Sequence, residues 1–424
     1  MGFQNEGLEK KRYKITPSQA RIMIVLLLGA GLVLRIWLTS LTDGHPFDIR
    51  TFREWASAAA NSLFQVYSGR RPSDYPPLYM YVLYLIGKLG GIPALTPHIV
   101  VLLKLPSIFA DIATSYLIYK FSKKHLSISA SLLLSAFYIF NPAVFINSTV
   151  WGQVDSFFTL FIVSAVFCLC EGRIGVSSLL FTAAILMKPQ GIIFLPVLFF
   201  ELIRSRKLGS FLKAAAFSLL AAVAVVLPFA VHYGPMWIIN LYSSTLGEYR
   251  YASVNAFNFF SLLGANFTND STTLFIFSYY IWGMIAIVAV TAISGLIYLK
   301  GNNTKFAPGI ALLLISGVFT FSSRMHERYL FPAVALAILA YIYIKDRRLL
   351  YLAGGFSITS YINTHYILYL TDIGVNQAGF DAILMLTSVM NVFLVCYLVK
   401  VLFDDIYIVA SRDKCRQIQK NKDG

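Results

Sequence analysis

The thirteen residues Pro77–Leu89, PLYMYVLYLIGKL, decide how the rest of the chain crosses a membrane. As an α-helix they would reach only about 20 Å, whereas the hydrocarbon core of a bilayer is about 30 Å thick. Their apolar residues follow helical spacing, and Pro76 and Pro77 suit the first turn of a helix. We therefore predict a helix at the membrane surface, inside an outer loop of residues 42–98.

The composition of the 424 residues is that of a membrane protein. Hydrophobic residues make up 57% of the chain and charged residues only 13%, a balance that a water-soluble domain could not keep in solution. The sequence predicts an all-α polytopic protein with about twelve transmembrane helices, each about 20 residues long. The predicted spans cover residues 22–41, 99–119, 127–146, 155–170, 174–187, 189–203, 211–233, 274–299, 306–322, 329–344, 349–370 and 382–403.

Basic residues fix the predicted orientation. With twelve spans, the clusters at 120–124, 204–207, 300–305 and 345–348 all fall on the side of the basic N-terminus, which is the positive-inside pattern of cytoplasmic loops. The prediction is a cytoplasmic N-terminus (1–20), one transmembrane domain (21–403) with outer loops at 42–98 and 234–273, and a basic cytoplasmic tail (404–424). The net charge of +15 is spread along the chain, so we expect no nucleic-acid partner. Short loops favour a prokaryotic plasma membrane.

Asp48 stands where an amphipathic helix is predicted to begin, because Phe52, Ala56, Ala59 and Leu63 form an apolar stripe. In one interpretation Asp48 is the N-cap of this helix. In the other it is a general base at the membrane surface. The two roles are compatible.

Two further motifs lie at predicted outer ends of spans. Trp151, Gln153 and Asp155 are residue types that contact sugars, although Asp155 alone could cap a helix. Lys188-Pro189 separates two short spans. A kink explains the proline, whereas an intramembrane cation indicates function.

The segment Ser323–Tyr329, SRMHERY, concentrates cations near the start of the tenth span. Glu327 could pair with Arg324 at a spacing of three residues. We favour a phosphate clamp of Arg324, His326 and Arg328, because guanidinium groups bind phosphate with two parallel hydrogen bonds.

Lys104 and Asp111 lie two turns apart in the second span. We expect them to neutralise each other in part.

These motifs, in this order, resemble the GT-C superfamily of membrane glycosyltransferases over nearly the whole chain. Asp48, Trp55 and the run Tyr75-Pro76-Pro77-Leu78 resemble the first outer loop of dolichyl-phosphate-glucose-dependent glucosyltransferases. The run MHERYLFP at 325–332 is similar to prokaryotic relatives of the second mannosyltransferase of GPI-anchor synthesis. One departure is Ile49, where some relatives carry a second acidic residue.

The resemblance implies a GT-C fold and inverting transfer of a hexose, mannose or glucose, from a polyprenyl-phosphate donor to an acceptor hydroxyl on the outer face. It makes Asp48 the catalytic base. The implied donor-phosphate ligands are Lys188, Arg324, His326 and Arg328, and the implied sugar or acceptor pocket contains Trp151, Gln153, Asp155, Trp55, Tyr75 and Asn255. Neither a metal nor a cofactor is expected, since the sequence has no P-loop, HExxH or clustered Cys/His motif.

The partners expected on this interpretation are the polyprenyl-phosphate sugar, a glycan, lipid or protein acceptor and the bilayer, with the chain acting as a monomer. Two other classes of function stay open. Broken helices and intramembrane charges also mark secondary transporters and lipid or sugar flippases. A non-enzymatic sensor or assembly subunit would show no turnover and would tolerate changes at Lys188 and Arg324.

Overall fold

The computed structural model describes residues 15–68, 72–371 and 377–420, with side chains as far as residue 407. Residues 1–14 of the predicted N-terminus, 69–71 of the predicted first outer loop, 372–376 between the last two predicted spans and 421–424 of the predicted tail lie outside this part. Its helices are α1 (Pro17–Leu41), α2 (Pro46–Asn61), α3 (Pro77–Gly90), α4 (Ile99–Ser122), α5 (Ile128–Ile139), α6 (Pro142–Phe145), α7 (Asp155–Cys170), α8 (Ile174–Met187), α9 (Leu195–Ser205), α10 (Leu208–Tyr233), α11 (Trp237–Leu246), α12 (Phe259–Leu262), α13 (Tyr279–Gly301), α14 (Ala307–Phe321), α15 (Pro332–Ile344), α16 (Arg348–His365) and α17 (Ala382–Lys420).

The chain is an all-α membrane protein, but the structure does not confirm twelve spans. Six helices of the described part are long and apolar enough to cross a bilayer, and a seventh crossing results if the pair α5–α6, bent by 40°, counts as one. α7, α8 and α15 are apolar but shorter. A helix of 14 residues such as α8 reaches only about 21 Å.

A short antiparallel hairpin of β1 (Thr273–Leu274) and β2 (Phe277–Ser278) precedes α13. The span predicted from residue 274 therefore begins later, at Tyr279. The hairpin was included in the predicted span because several of its side chains are apolar. α17 continues without a break from the last predicted span into the predicted tail, as far as Lys420.

Burial divides the helices into a centre and a periphery. In the most apolar window of α14, 83% of the residues are buried, whereas in α10 only 17% are. α15 is buried along nearly its whole length. A helix that is hydrophobic all round belongs either in a protein core or against lipid, so α14 and α15 form the centre and α10 faces the bilayer.

The helix predicted at residues 77–89 is confirmed as α3. Tyr79, Met80 and Leu83 are fully buried, and α3 packs closely against α2. A Cβ atom at Gly87 would lie 2.1 Å from the backbone oxygen of Ala56, so only glycine permits this approach. α3 thereby fixes the position of α2 in the outer loop.

A π-helical turn, Ile146–Trp151, holds the other side of the outer loop. The backbone N–H of His45 donates to the carbonyl oxygen of Trp151 at 2.8 Å, and the two rings stack 4.5 Å apart. Gly44 has a φ of +84°, and a Cβ atom there would lie 2.9 Å from the same carbonyl oxygen. Since π-helical turns often occur at functional sites, the contact of α2 with this turn is the natural place to look for one.

Candidate functional site

Asp48 lies in the first turn of α2 but does not cap the helix. The N-cap is His45, whose Nδ1 accepts a hydrogen bond from the backbone N–H of Asp48 at 3.3 Å. α2 also begins at Pro46, earlier than predicted. The N-cap interpretation of Asp48 is wrong because a histidine ring occupies that position, and the carboxylate turns towards the segment that precedes α7.

The Asp48 carboxylate accepts two short hydrogen bonds from that segment. Trp151 Nε1 donates at 2.6 Å and Gln153 Nε2 at 2.7 Å, both to Oδ2. Arg328 Nη2 lies 3.8 Å from the same oxygen. Burial raises the pKa of Asp48, but Arg328, His45 and the two hydrogen bonds outweigh it and hold the pKa below its usual value. A carboxylate with a lowered pKa is a weak general base.

Asp155 begins α7 and forms an ion pair rather than a side-chain cap. Its Oδ1 lies 2.5 Å from Lys188 Nζ, and its Oδ2 accepts a hydrogen bond from Asn147 Nδ2 at 2.9 Å. Lys188 is extended at the end of α8, where Pro189 starts a 3-10 turn. The break between the two helices thus carries the Lys188 ammonium to the start of α7.

Arg328 lies at the centre of the site. Its guanidinium contacts Glu327, approaches Asp155 Oδ2 to 3.9 Å and lies 5.2 Å from the centre of the Trp151 ring. Its Nε is buried without a hydrogen-bond partner among the described residues. Asp48, Asp155 and Glu327 together hold the pKa of Arg328 well above its usual value, against the effect of burial.

The charges of these five residues nearly balance. Three carboxylates, on Asp48, Asp155 and Glu327, face the two cations of Lys188 and Arg328. Burial raises the pKa of Glu327, and the adjacent Arg328 acts in the opposite direction. We call these residues the buried ion cluster. It lacks the excess positive charge that binding of a phosphate group favours.

Tyr75 joins the buried ion cluster to the aromatic core of the outer loop. Its hydroxyl donates to Gln153 Oε1 at 3.4 Å, and Lys188 Nζ lies 5.4 Å from the centre of its ring. Trp55 contacts Tyr75 with ring centres 5.4 Å apart but is itself only 5% exposed. Trp55 therefore packs α2 against its neighbours, whereas Tyr75 borders the site.

Arg324 lies apart from the other predicted phosphate ligands. Its Nε donates to Asp270 Oδ2 at 2.6 Å, and its Nη1 donates to the carbonyl oxygen of Leu246 at 2.8 Å. The alternative interpretation, in which Arg324 pairs with Glu327, is wrong, because Glu327 pairs with Arg328. Arg324 has a φ of +62°, a left-handed conformation that turns its side chain towards the second outer loop and away from Glu327.

His326 and Asn255 join this loop to the segment before α15. Their backbones form an isolated bridge, and the Asn255 side chain accepts from the backbone N–H of Ala378 at 2.9 Å. The His326 ring packs against Tyr249 and Tyr329. The structure therefore brings Asp48, Gln153 and Arg328 together. It places His326 and Asn255 beside them, in a contact between the second outer loop and the segment before α15.

The burial of His326 predicts that the stability of the protein depends on pH. Burial lowers the pKa of His326 to about 3, with Arg328 and Lys188 acting in the same direction and Asp48 opposing them. Because the folded protein binds this proton less readily than the unfolded chain, His326 costs stability as pH falls below about 6.5. Between about pH 7.5 and pH 5, the unfolding free energy should fall about 2 kcal/mol further in the wild type than in His326→Gln.

Denaturant unfolding in detergent at the two pH values measures this difference. His98→Gln, at an exposed position, is the matched control, and its unfolding free energy should fall between the two pH values by as much as that of the wild type. An equal fall for the wild type and His326→Gln would contradict the prediction.

Sequence reasoning missed a second buried ion pair, which lies within the spans. Arg35 Nε donates to Asp111 Oδ2 at 2.9 Å, and Ser148 Oγ donates to the same oxygen at 2.6 Å. Lys104 Nζ instead bonds the carbonyl oxygen of Thr42 at 2.7 Å, so the expected pairing of Lys104 with Asp111 is wrong. The sequence did contain a signal for this pair: Arg35 is a charged residue within the first predicted span, and such a residue usually has a buried partner.

A cavity of about 730 Å³ opens among the outer-loop residues beside the site. Tyr67 and Trp237 line it with their rings 4.8 Å apart, and Asp74 and Glu248 add two carboxyl groups. Burial, with Glu248 nearby, raises the pKa of Asp74 to about 7. Because Asp74 directly precedes Tyr75, this outer cavity lies next to the buried ion cluster.

A family model described as GPI transamidase subunit PIG-U matches residues 48–306, which is more than half of the chain. The chain belongs to this family. The match starts at Asp48 and includes Gln153, Asp155 and Lys188, whereas Arg328 follows it. A search of curated proteins finds no match to the chain.

Membership of the PIG-U family corrects the predicted activity. The family is described as a transamidase subunit, so the prediction of a polyprenyl-phosphate-dependent hexosyltransferase with Asp48 as its general base is wrong. The residue types that suggested sugar transfer are present in this chain, but their contacts differ from those of a general base and its substrate. Here Asp48 is hydrogen-bonded, paired with a cation and weakly basic.

Proposed function

We propose that the chain is a non-catalytic membrane subunit of an assembly of the GPI transamidase type, and that it binds the glycan of a glycolipid at the outer face. The observation that carries this proposal is the state of Asp48. Its Oδ2 accepts hydrogen bonds from Trp151 and Gln153 and lies close to Arg328, and its pKa is lowered. These contacts suit a fixed structural anion better than a proton acceptor. The predicted monomer stays a prediction, and the family description favours an assembly.

The outer cavity supplies the glycan-binding surface in this proposal. Aromatic rings of Tyr67 and Trp237 can pack on the apolar faces of sugars, while Asp74, Asn240 and Glu248 can accept or donate hydrogen bonds to hydroxyl groups. A nearly neutral buried ion cluster beneath it suits a polyhydroxyl ligand more than a bare phosphate. The roles first assigned to Trp151, Gln153, Asp155 and Tyr75 in lining a sugar pocket are retained as part of this proposal.

We also propose the twelve crossings, the GT-C arrangement and the cytoplasmic termini that the sequence predicts. Contacts at the end opposite to Asp48 support them. Lys124 pairs with Glu171 at 2.8 Å, and Glu171 accepts a hydrogen bond from Tyr343 at 3.0 Å. Lys124 and Glu171 come from two loops predicted to be cytoplasmic, and Tyr343 lies at the predicted cytoplasmic end of the tenth span. These contacts support α7 and α15 as crossings despite their length. The prokaryotic plasma membrane stays a prediction.

Purification from the native membrane tests the proposed function. The tagged chain should co-purify with other membrane proteins in a fixed ratio and should bind a radiolabelled glycosylated phosphatidylinositol more tightly than phosphatidylinositol. Glu248→Gln and Asn240→Ala, which change cavity side chains, should each weaken binding of the glycosylated lipid about tenfold, the effect of losing a hydrogen bond to a charged or buried polar group.

Asn61→Ala is the matched control, since Asn61 is exposed at the end of α2, and it should bind like the wild type. Equal binding of the two lipids by every variant, or sugar transfer by the purified chain alone, would overturn the proposal.

A further inference from the structure

Four tripeptides of the chain have the sequence Asn-x-Ser/Thr, the acceptor motif of N-linked glycosylation. They begin at Asn147, Asn266, Asn269 and Asn302. The motif is short, so its occurrence alone does not show that any of the four is used. An oligosaccharide can remain on an asparagine only if that side chain is exposed and lies on the outer side of the membrane. These two conditions separate the four motifs.

The side chains of Asn147 and Asn266 are held within the fold. Asn147 is 1% exposed, and its Nδ2 donates to Asp155 Oδ2 at 2.9 Å. Asn266 is half-buried, and its Nδ2 donates to Asn255 Oδ1 at 3.1 Å and to the carbonyl oxygen of Ala378 at 3.3 Å. An N-linked sugar takes the place of one hydrogen of this nitrogen. Attachment at Asn147 or Asn266 would therefore disrupt existing contacts.

Asn269 and Asn302 are both exposed. Neither side-chain nitrogen has a hydrogen-bond partner within residues 15–68, 72–371 and 377–407. The two asparagines lie beyond opposite ends of α13 (Tyr279–Gly301), which is long and apolar enough to cross a bilayer. Only one of them can therefore lie on the outer side, and the other forms a natural control.

Contacts of the two motifs place Asn269 at the end of the bundle that carries Asp48. Asp270, the middle residue of its motif, pairs with Arg324 at 2.6 Å, and Arg324 belongs to the same segment as Arg328, which contacts Asp48. Thr304, the last residue of the Asn302 motif, instead donates from Oγ1 to the carbonyl oxygen of Cys170 at 3.4 Å. This is the end of the bundle predicted to be cytoplasmic.

The local geometry leaves the amide nitrogen of Asn269 accessible. Asn269 Oδ1 accepts hydrogen bonds from the backbone N–H and the hydroxyl group of Ser271, at 2.9 and 2.6 Å. The motif hydroxyl thus fixes the amide through its oxygen and leaves Nδ2 without a contact. A polar cavity of about 370 Å³ adjoins the tripeptide and is lined also by Arg250 and Tyr280. There is therefore open space beside Asn269 for an attached sugar.

We propose that Asn269 carries an N-linked oligosaccharide, transferred from a lipid-linked oligosaccharide by a separate transferase of the same membrane. In this transfer Asn269 Nδ2 forms a bond to the anomeric carbon of the first sugar. The bond from that carbon to the phosphate oxygen of the lipid breaks, the lipid phosphate leaves with the electron pair, and the proton that Nδ2 loses passes to solvent. A glycan at this position requires the orientation proposed above but not the binding of a glycolipid, because Asn269 does not line the outer cavity.

Mass spectrometry of peptides from the full-length chain, purified from the membrane of the organism that makes it, tests the proposal. We expect an oligosaccharide on the peptide that contains Asn269 and unmodified asparagine at the three other motifs. Asn269→Gln and Ser271→Ala should each remove the glycan. Ser271→Thr keeps the motif hydroxyl and should keep the glycan. Asn302→Gln is the matched control and should leave the glycan unchanged.

The possible failures are distinguishable. Four unmodified motifs in the wild type would overturn the assignment of Asn269 and leave the orientation standing. A glycan on Asn302 in place of Asn269 would overturn the orientation together with this assignment. Asn269→Gln should bind the glycosylated lipid like the wild type, so the binding experiment with Glu248→Gln and Asn240→Ala is decided separately.

Discussion

Replacing Arg328 with methionine is expected to lower the unfolding free energy by about 3–5 kcal/mol, the usual cost of removing one partner from a buried charge network. The Arg328 guanidinium is the shared counter-charge of Asp48, Asp155 and Glu327. Methionine can replace its volume but leaves buried negative charge without compensation. Denaturant unfolding of the purified chain in detergent measures the loss.

Two further variants identify charge as the cause. Arg53→Met makes the same change on the exposed face of α2 and should cost less than about 0.5 kcal/mol. Glu327→Gln removes one carboxylate, and combined with Arg328→Met it should recover part of the lost stability. If the double variant loses as much unfolding free energy as the two single variants together, Arg328 and Glu327 are not energetically coupled, which would contradict the prediction.

The second large effect is expected from Gly87→Ala. A Cβ atom there would lie 2.1 Å from the oxygen of Ala56 and 2.8 Å from Ala60 Cβ, so α2 and α3 must separate. Overpacking of this kind costs about 3 kcal/mol. Because α2 carries Asp48, its hydrogen bonds to Trp151 and Gln153 should also lengthen, and binding of the glycosylated lipid should weaken.

Gly354→Ala is the control, because a Cβ atom at this position within α16 meets nothing within 4 Å. Its melting temperature should equal or slightly exceed that of the wild type, since alanine favours helix more than glycine does. Wild-type stability of Gly87→Ala would contradict the close approach of α2 and α3 at this glycine.

Much of the fold follows from apolar periodicity. The helix at residues 77–89, the break at Lys188-Pro189 and most helix bounds were predictable within a few residues, because lipid-facing and core-facing positions repeat regularly. Alternation of spans also predicted that Asp48, Trp151 and Lys188 would lie at the same end of the bundle. A shared end did not determine which side chains meet: Trp151 contacts Asp48, whereas Lys188 contacts Asp155.

The pairing of charges within the site was not predictable in the same way. Arg324 and Arg328 look equivalent in the sequence, yet the left-handed backbone at Arg324 directs it to Asp270. Asp270 belongs to the second outer loop. This loop is mostly irregular, so its sequence has no apolar periodicity from which the position of a side chain can be predicted. The activity was misread for a related reason. The basicity of Asp48 depends on Trp151 and Arg328, which contact it only in the folded chain.

The buried ion cluster also affects the order in which the chain folds during synthesis. Arg328 is synthesised roughly 280 residues after Asp48, which at about 5–20 residues per second is a delay of between about a quarter of a minute and one minute. During that interval α2 can form and pack on α3 while Asp48 still lacks its guanidinium partner. The outer loop therefore closes late, when the last quarter of the chain arrives, and a protein cut short before Arg328 would expose an unfinished surface that quality-control proteases can recognise.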